Sequence, residues 1–236
     1  MNSTDNMQIA INKIQLYESV PFGILLSVVG GFLDAYTYIC RHGVFANAQT
    51  GNIVLLGIHA SKGEWKQALL YIPPILAFII GVIVVEMIKK SSPRLFVFDW
   101  PRAILILETF ILFAIGFIPQ KFPDIIVTVI ISFVASVQVC SFCKLVDTAY
   151  ATTMMTGNLR SFSQAIYKAV TGKDRASAIR AFRYFIIVLS FIIGAIVGGI
   201  VTLIFGVKAI WGSVILLLCP VILTRCARAK DKKEVK

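Results

Sequence analysis

Ionisable side chains inside long apolar stretches are the residues of this sequence best suited to chemistry. Asp34 lies some thirteen residues into one apolar stretch, and Glu108 lies six residues into another. A carboxylate is unfavourable in hydrocarbon, so its usual role there is to bind a proton, an ion or a polar solute. We therefore predict Asp34 first and Glu108 second as binding residues. For Asp34 an equally good alternative is an ion pair with Arg41, two turns further along the same helix face.

A Thr-Gly-Asn sequence occurs twice, at residues 50–52 and 156–158. Each copy offers a hydroxyl, an amide that donates and accepts, and a glycine that permits a break in a helix. These groups suit the coordination of a small solute or ion by unwound backbone. They suit equally well a structural role, in which Thr and Asn cap and join short helices inside a bundle. The full set of predicted binding residues is Asp34, Asn47, Thr50, Gly51, Asn52, Glu108, Gln138, Thr156, Gly157 and Asn158.

Several catalytic chemistries lack their residues in this sequence. Only two histidines occur, so acid–base chemistry would depend on carboxylates. The hydrolase sequences His-Glu-x-x-His and Gly-x-Ser-x-Gly are absent, and residues 171–173 (Thr-Gly-Lys) lack the first glycine of a phosphate-binding loop. Cys140 and Cys143 form a Cys-x-x-Cys pair with no second pair to complete a metal site. We therefore expect that the protein is not an enzyme and that it binds no cofactor or metal.

The chain that holds these residues is too apolar for a water-soluble domain. Hydrophobic residues make up 58% of it, charged residues 15%, and the mean hydropathy is +0.84. The polar stretch at residues 1–19 lacks the basic start and cleavage site of a signal peptide, so we expect an uncleaved first helix. Six apolar stretches are each long enough, with frayed ends, to cross a bilayer as a helix. They are residues 21–39, 69–88, 103–118, 125–142, 184–205 and 209–223.

Two matched signatures indicate an internal duplication. The Thr-Gly-Asn copies are followed at similar distances by residues 78–84 and 191–197, which share a Phe-Ile-Ile-Gly sequence. Both matches occur in the same order, which favours a repeat over coincidence. We predict a single membrane domain, residues 1–236. Its parts are repeat one at about 20–118, repeat two at about 124–224, and a basic tail at 225–236.

The positive charges are concentrated in three segments. The net charge is +11, and sixteen of the 23 lysines and arginines lie in these segments. They are Lys89, Lys90, Arg94 and Arg102; Arg160, Lys168, Lys173, Arg175, Arg180 and Arg183; and Arg225, Arg228, Lys230, Lys232, Lys233 and Lys236. The positive-inside rule assigns all three to the cytoplasm. The tail is better explained as a topology anchor than as a nucleic-acid arm.

The polarity of the Thr-Gly-Asn regions argues against ordinary spans. Residues 149–170 hold too many polar side chains to face lipid. With six crossings the three basic segments share one face, and three crossings per half invert the second half relative to the first. The predicted fold class is an all-α polytopic membrane protein of about six transmembrane helices in two inverted three-helix repeats. Each repeat has a polar, re-entrant or broken Thr-Gly-Asn segment, and crossing by the first segment alone stays open.

Several short sequences carry a family resemblance. They are residues 30–35 (Gly-Gly-Phe-Leu-Asp-Ala), 43–47 (Gly-Val-Phe-Ala-Asn) and 50–57 in the first half, with Gln138 and residues 152–158 in the second. Together they resemble the YoaK family of bacterial multi-pass membrane proteins, defined by a domain of unknown function. The resemblance covers nearly the whole chain and implies a bacterial cytoplasmic membrane protein without an established activity. One departure is Val139, where an asparagine is expected.

The function predicted from these features is a small-solute or ion transporter or permease. Its site would lie between the halves, formed by the two Thr-Gly-Asn segments and Asp34. The expected partners are the lipid bilayer and an unknown small solute or ion, without nucleic acid; self-association is left open. One alternative is an intramembrane enzyme that acts on a lipid-like substrate, with Asp34 and Glu108 as acid and base. The other is a non-catalytic membrane scaffold.

Overall fold

A computed structural model describes residues 16–91, 100–146 and 148–234, with side chains described as far as residue 224. Most of the polar stretch at residues 1–19, the basic residue Arg94 and the side chains of the basic tail lie outside the described residues.

Helices dominate the described chain. They are α1 (Val20–Cys40), α2 (Gln49–Ser61), α3 (Trp65–Leu69), α4 (Ile72–Ser91), α5 (Trp100–Ile115), α6 (Asp124–Ser141), α7 (Met155–Gly172), α8 (Arg175–Phe205) and α9 (Ile210–Glu234). A short antiparallel pair, β1 (Lys144–Leu145) and β2 (Thr148–Ala149), precedes α7. A 3-10 turn, Gly206–Ala209, joins α8 to α9.

Each of the six apolar stretches coincides, within three residues at either end, with part of one of the long helices α1, α4, α5, α6, α8 and α9. Four stretches of the described chain are long and apolar enough to cross a membrane: Val20–Cys40, Trp65–Ser91, Asp124–Ser141 and Arg175–Thr224. The last of these contains two helices, while α5 has 16 residues and is shorter than a usual span. An all-α polytopic membrane protein is therefore confirmed, and the count of six crossings stays a prediction.

Helix α8 begins nine residues before its apolar stretch because an N-cap starts it. The Asp174 carboxylate accepts the backbone N–H of Ala176 at 3.0 Å and the hydroxyl of Ser177 at 2.5 Å. Capping of this kind satisfies amide groups that a helix start leaves unpaired. The hydrogen bonds from Ser177 and Ala176 also hold the pKa of Asp174 below its ordinary value. The first turns of α8 thus carry the basic residues that precede the apolar core.

The long helices pair reciprocally between the two halves of the chain. Helix α1 of the first half packs along α8 of the second, and α6 of the second half packs along α4 of the first. A Cβ on Gly194 would overlap the Val28 carbonyl, and one on Gly81 would lie 2.9 Å from the Phe133 carbonyl oxygen. The two matched glycines thus each allow close approach to a helix from the other half.

The first long helices of the two halves, α1 and α6, run antiparallel. The end of α1 meets the start of α6, where Arg41 pairs with Asp124. The start of α1 meets the end of α6, where the rings of Phe22 and Phe142 have centroids 5.4 Å apart. The first long helix of one half therefore points opposite to the first long helix of the other.

The described basic segments gather at the end of the bundle where α1 begins. Helix α5 begins there, because Trp100 Nε1 donates to Ser141 Oγ at the end of α6 (2.9 Å). Helix α8 also begins at this end, since Ile187 lies against Gly23 near the start of α1. The described ends of α4, α5 and α8 that carry basic residues therefore lie at one end of the bundle.

Gly194→Ala should destabilise the protein, while Gly199→Ala should not. A methyl at position 194 meets backbone, whereas one at position 199 has Ile39 Cδ1 at 3.8 Å as its nearest neighbour. We expect thermal melting in detergent to show a loss of about 1–3 kcal/mol for Gly194→Ala. Gly199→Ala should melt at or slightly above the wild-type temperature, because alanine favours a helix. Equal melting of the two variants would contradict close packing of α1 on α8.

Candidate functional site

The chain turns back into the bundle after α1. His42 and Gly43 have φ angles of 56° and 72°, which reverse its direction. Asn47 then lies beside the middle of α1, where its Nδ2 donates to the Gly30 carbonyl at 3.2 Å. Helix α2 begins two residues later and leads back toward the end of α1. The short helix α3 that follows it lies at that end, since its Gln67 Nε2 donates to the His42 carbonyl at 3.2 Å. The first Thr-Gly-Asn copy therefore occupies the first turn of α2, close to the middle of α1.

Asp34 holds this loop in place. Its Oδ1 accepts the backbone N–H groups of Asn47 at 2.7 Å and of Ala48 at 3.4 Å. Thr37 Oγ1, one turn further along α1, accepts the N–H of Ala46 at 3.0 Å. Ala48 is the N-cap residue of α2, so Asp34 binds the backbone that immediately precedes this helix. The second carboxylate oxygen, Oδ2, is buried and has no hydrogen-bond partner among the described residues.

The ion pair between Asp34 and Arg41 that the sequence suggested is wrong. Arg41 pairs instead with Asp124, and its Nη2 donates to the Tyr36 hydroxyl at 2.9 Å. The reason is that Arg41 is the C-cap of α1, with φ −132° and ψ 57°, so its side chain leaves the face that Asp34 occupies. Because the Arg41 side chain is fully buried, these partners compensate its lost hydration.

The asparagines of the two Thr-Gly-Asn copies make the same pair of hydrogen bonds. Asn52 accepts the N–H of Phe45 at 2.9 Å and donates to its carbonyl at 2.8 Å. Asn158 accepts the N–H of Ala151 at 3.3 Å and donates to its carbonyl at 2.7 Å. In both halves the partner lies seven residues earlier in the preceding loop. The asparagines therefore hold the backbone of the preceding loop. Of the two roles considered for them, solute binding and structural support, these hydrogen bonds correspond to structural support.

The loop of the second half reaches the same place from the opposite end of α1. The Tyr150 hydroxyl lies near Gly23, close to the start of α1, and the Thr153 methyl lies against Gly30 at its middle. Helix α7 then packs back along α8. Gly30 is thus contacted by Asn47 from one loop and by Thr153 from the other.

A cavity of about 550 Å³ lies where the two loops meet. Its polar residues come from both halves: Asp34, Asn47, Gln49, Thr50, Thr153 and Thr156. Gly157 also lines it, and Asp34 is the only charged residue among the lining ones. The remaining wall is mostly apolar and includes the rings of Tyr38 and Phe45, which stack with centroids 4.7 Å apart. The cavity therefore offers one carboxylate and a few hydroxyl and amide groups in a mostly apolar lining.

The other predicted residues lie outside this cavity. Gln138 Nε2 donates to both carboxylate oxygens of Glu108, at 3.0 and 2.9 Å, in a separate buried pair between α6 and α5. Gly51 makes room for an aromatic ring, since a Cβ there would lie 2.9 Å from the ring of Phe45. The ten predicted residues thus divide into a cavity set and a supporting set. The cavity set is Asp34, Asn47, Thr50, Thr156 and Gly157.

The comparison with known proteins decides the family. Residues 22–223 match a family model described as protein of unknown function (DUF1275). The chain belongs to this family. It is also similar to the UPF0700 transmembrane protein YoaK of Bacillus subtilis (strain 168), with 32% identity over 149 residues. That match covers 60% of this chain and 64% of YoaK, less than two thirds of the relative's length. No solved structure matches the chain, and the YoaK-like family predicted from short sequences is confirmed.

The predicted set for this DUF1275 member omitted three polar residues: Gln49 and Thr153, which line the cavity, and Thr37, which holds the loop. Thr153 lies three residues before Thr156, just as Asn47 lies three residues before Thr50. This equivalence could have identified Thr153 from the sequence. Thr37 lies three residues after Asp34 on the same face of α1, which was also readable once Asp34 had been chosen.

Asn52→Asp and Asn158→Asp should both destabilise the protein. Each change keeps the acceptor oxygen but replaces the amide that donates to the carbonyl of Phe45 or Ala151. We expect thermal melting to show a loss of about 1–3 kcal/mol for each variant, because a buried carbonyl loses its donor.

Ser163→Ala is the control for these variants. Within the described residues the Ser163 hydroxyl donates to one group, the Leu159 carbonyl of its own helix at 3.0 Å, so its loss should change stability by less than about 0.5 kcal/mol. Wild-type melting of either asparagine variant would show that the corresponding loop is held by other contacts.

Proposed function

We propose that this chain is a permease for a small solute or ion, with its site in the cavity between the two halves. The proposal depends on one observation: Asp34 and parts of both Thr-Gly-Asn segments converge on a single cavity beside the middle of α1. Non-helical backbone is tolerated deep in a membrane protein where it is buried or lines a cavity. Discontinuous helices that meet near the bilayer midplane are a common construction of solute sites in transporters.

The proposal includes two inverted repeats with six crossings. Three features support it: the antiparallel arrangement of α1 and α6, the reciprocal packing of α1 with α8 and of α6 with α4, and the matching hydrogen bonds of Asn52 and Asn158. In this arrangement α2 and α7 are re-entrant. Helix α2 begins beside the middle of α1 and returns to the end of the bundle where α1 ends. Helix α7 begins at the same depth and returns to the end of the bundle where α1 begins. Opposed entry would let the halves rock around one fixed site.

The proposed location is the cytoplasmic membrane of a bacterium, with the carboxyl terminus in the cytoplasm. The support is the positive charge at the end of the bundle where α1 begins. Helix α4 ends there with Lys89 and Lys90, and helix α8 begins there with Arg175. Under the positive-inside rule this end faces the cytoplasm. Helix α9 runs toward the same end, since its residue Gly212 lies against Phe32 after the preceding turn contacts Tyr36.

The enzyme alternative is less well supported than the permease. An acid and base pair would need Asp34 and Glu108 in one site, but Glu108 is bound by Gln138 and does not line the cavity. The scaffold alternative explains the asparagines well. It leaves unexplained why a buried carboxylate oxygen of Asp34 is unpaired beside a cavity.

The test begins with a thermal-shift screen of the purified protein against metabolites and inorganic ions, because a ligand of the folded state raises its melting temperature. Uptake of each hit is then measured in liposomes. Asp34→Asn should abolish gradient-driven uptake and still fold, since asparagine keeps an acceptor for the N–H of Asn47. Glu86→Gln, which removes only an exposed pair with Lys89 (2.6 Å), should transport normally.

Two results would contradict the proposal. Unaltered uptake by Asp34→Asn would remove this residue from the mechanism. A wild-type protein that neither binds nor moves any compound of the panel would favour the scaffold.

Gly157→Leu tests the cavity in the same assay without altering charge. A Cβ at Gly157 meets no atom within 4 Å, so a leucine there fills open space instead of displacing its neighbours. We expect affinity for the screened ligand to fall by about tenfold or more. Gly172→Leu is matched, because that glycine at the far end of α7 is equally open and lies away from the cavity. Equal affinities would place the ligand elsewhere.

A further inference from the structure

Helix α7 has three sides of different character. Asn158 and Ala165 are buried, seven residues apart, on the side that faces α8 and the preceding loop. A second side is apolar and exposed, with Leu159, Ile166 and Val170. Residues three or four apart share a face of a helix, and by this spacing the exposed polar residues form a third side. The members of this polar side of α7 are Thr156, Arg160, Ser163, Gln164, Lys168 and Thr171.

The polar side of α7 is continuous with the cavity. Thr156 and Gly157 line the cavity and are both exposed. Arg160 follows Thr156 by four residues and Gln164 follows Arg160 by four, so these side chains are neighbours along the helix. Helix α7 ends at Gly172, and α8 begins three residues later at the basic end of the bundle. The polar side therefore extends from the cavity to that end.

Arg160 lies at membrane depth in the proposed arrangement. It follows Met155, the first residue of α7, by five residues, which is about 8 Å at 1.5 Å per residue. Half of the hydrocarbon core is about 15 Å thick, so a helix that starts near the midplane carries Arg160 inside the core. Charged side chains at this depth face protein or water instead of lipid. Because Arg160 is exposed and has no partner among the described residues, water accounts best for its position.

The equivalent helix of the first half has a different surface. When the two Thr-Gly-Asn copies are aligned, the positions of Arg160 and Gln164 correspond to Val54 and Ile58 of α2. Both of these residues are exposed and apolar, which suits contact with lipid. Polar access along a re-entrant helix is therefore a feature of the second half, whose helix returns to the proposed cytoplasmic end.

We propose that the polar side of α7 is a water-filled path from the cytoplasm to the cavity, and that Arg160 draws solutes with a carboxylate or phosphate group into it. The inference rests on the proposed function, since it names the open side of that site and a charge class for its solute. A guanidinium presents paired N–H groups that match a carboxylate or phosphate. The inner carboxylate of Asp34 is partly offset by the N–H groups of Asn47 and Ala48.

The first test maps water along α7 with single cysteines in the full chain, after replacement of the five native cysteines. Thr156→Cys, Arg160→Cys and Gln164→Cys should react with a hydrophilic methanethiosulfonate reagent added to inside-out membrane vesicles. Leu159→Cys and Ile166→Cys lie on the apolar side at similar depths. They should react at least about tenfold more slowly, because the reactive thiolate is disfavoured in apolar surroundings.

Val54→Cys and Ile58→Cys are the matched controls in the first half. They should react as slowly as Leu159→Cys from either face of the membrane, since the equivalent positions of α2 are apolar. Rapid reaction of these two cysteines from the outer face would contradict a path that is open on one side.

The second test measures the charge preference that Arg160 gives to the path. Gly157→Cys places a thiol on the cavity lining, where the reaction rates of an anionic and a cationic methanethiosulfonate are compared. Arg160→Gln should lower the ratio of the anionic to the cationic rate by about threefold or more, because it removes a charge one turn away. Arg160→Lys keeps the charge and should keep the ratio. Lys168→Gln lies roughly 16 Å further along the axis, beyond the Debye length, and should also leave the ratio unchanged.

Three results would decide between the alternatives. Slow reaction of all three cysteines on the polar side would overturn the path, and cross-linking of two copies through Gln164→Cys would show that a second copy covers this side instead. An unchanged rate ratio in Arg160→Gln would overturn the role of Arg160. Rapid reaction along the polar side, in a protein that takes up no compound of the panel, would uphold the water-filled path and contradict the proposed permease.

Discussion

The structure depends on one constraint: a loop that enters an apolar bundle must have its backbone groups paired inside the protein. Every N–H from residue 43 to residue 49 has an acceptor. Three side chains supply four of these acceptor contacts, because Asn52, Thr37 and Asp34 bind the N–H groups of residues 45–48. The loop reaches Gly30 only because these residue types stand at these positions.

The two halves share this construction but differ in chemistry. Asn158 holds the second loop as Asn52 holds the first. Helix α6 has no equivalent of Asp34, since its one acidic residue, Asp124, lies at its start and pairs with Arg41. The first half therefore contributes the carboxylate of the cavity, and the second contributes hydroxyls. The shared loop construction with different side chains accounts for a single charged residue in the cavity lining.

Sequence reasoning predicted the parts that depend on composition and repetition, and missed those that depend on the path of the chain. Apolar length located the six long helices, and the repeated Thr-Gly-Asn located the cavity. The pairing of Arg41 failed because α1 ends one residue earlier, which spacing alone does not show. The partner of Glu108 was unreadable, because Gln138 lies on another helix thirty residues away. Asn52 was ambiguous because its bonds depend on a non-helical loop.

The central claim is that two re-entrant segments enter from opposite faces and meet beside Gly30. Its most direct test is the labelling of single cysteines at residues 62–66 and 171–175 with a membrane-impermeant maleimide. The background is a variant in which the five native cysteines are replaced. We expect residues 62–66 to label from the outer face and residues 171–175 from the cytoplasmic face. Labelling of both segments from the same face would contradict the account.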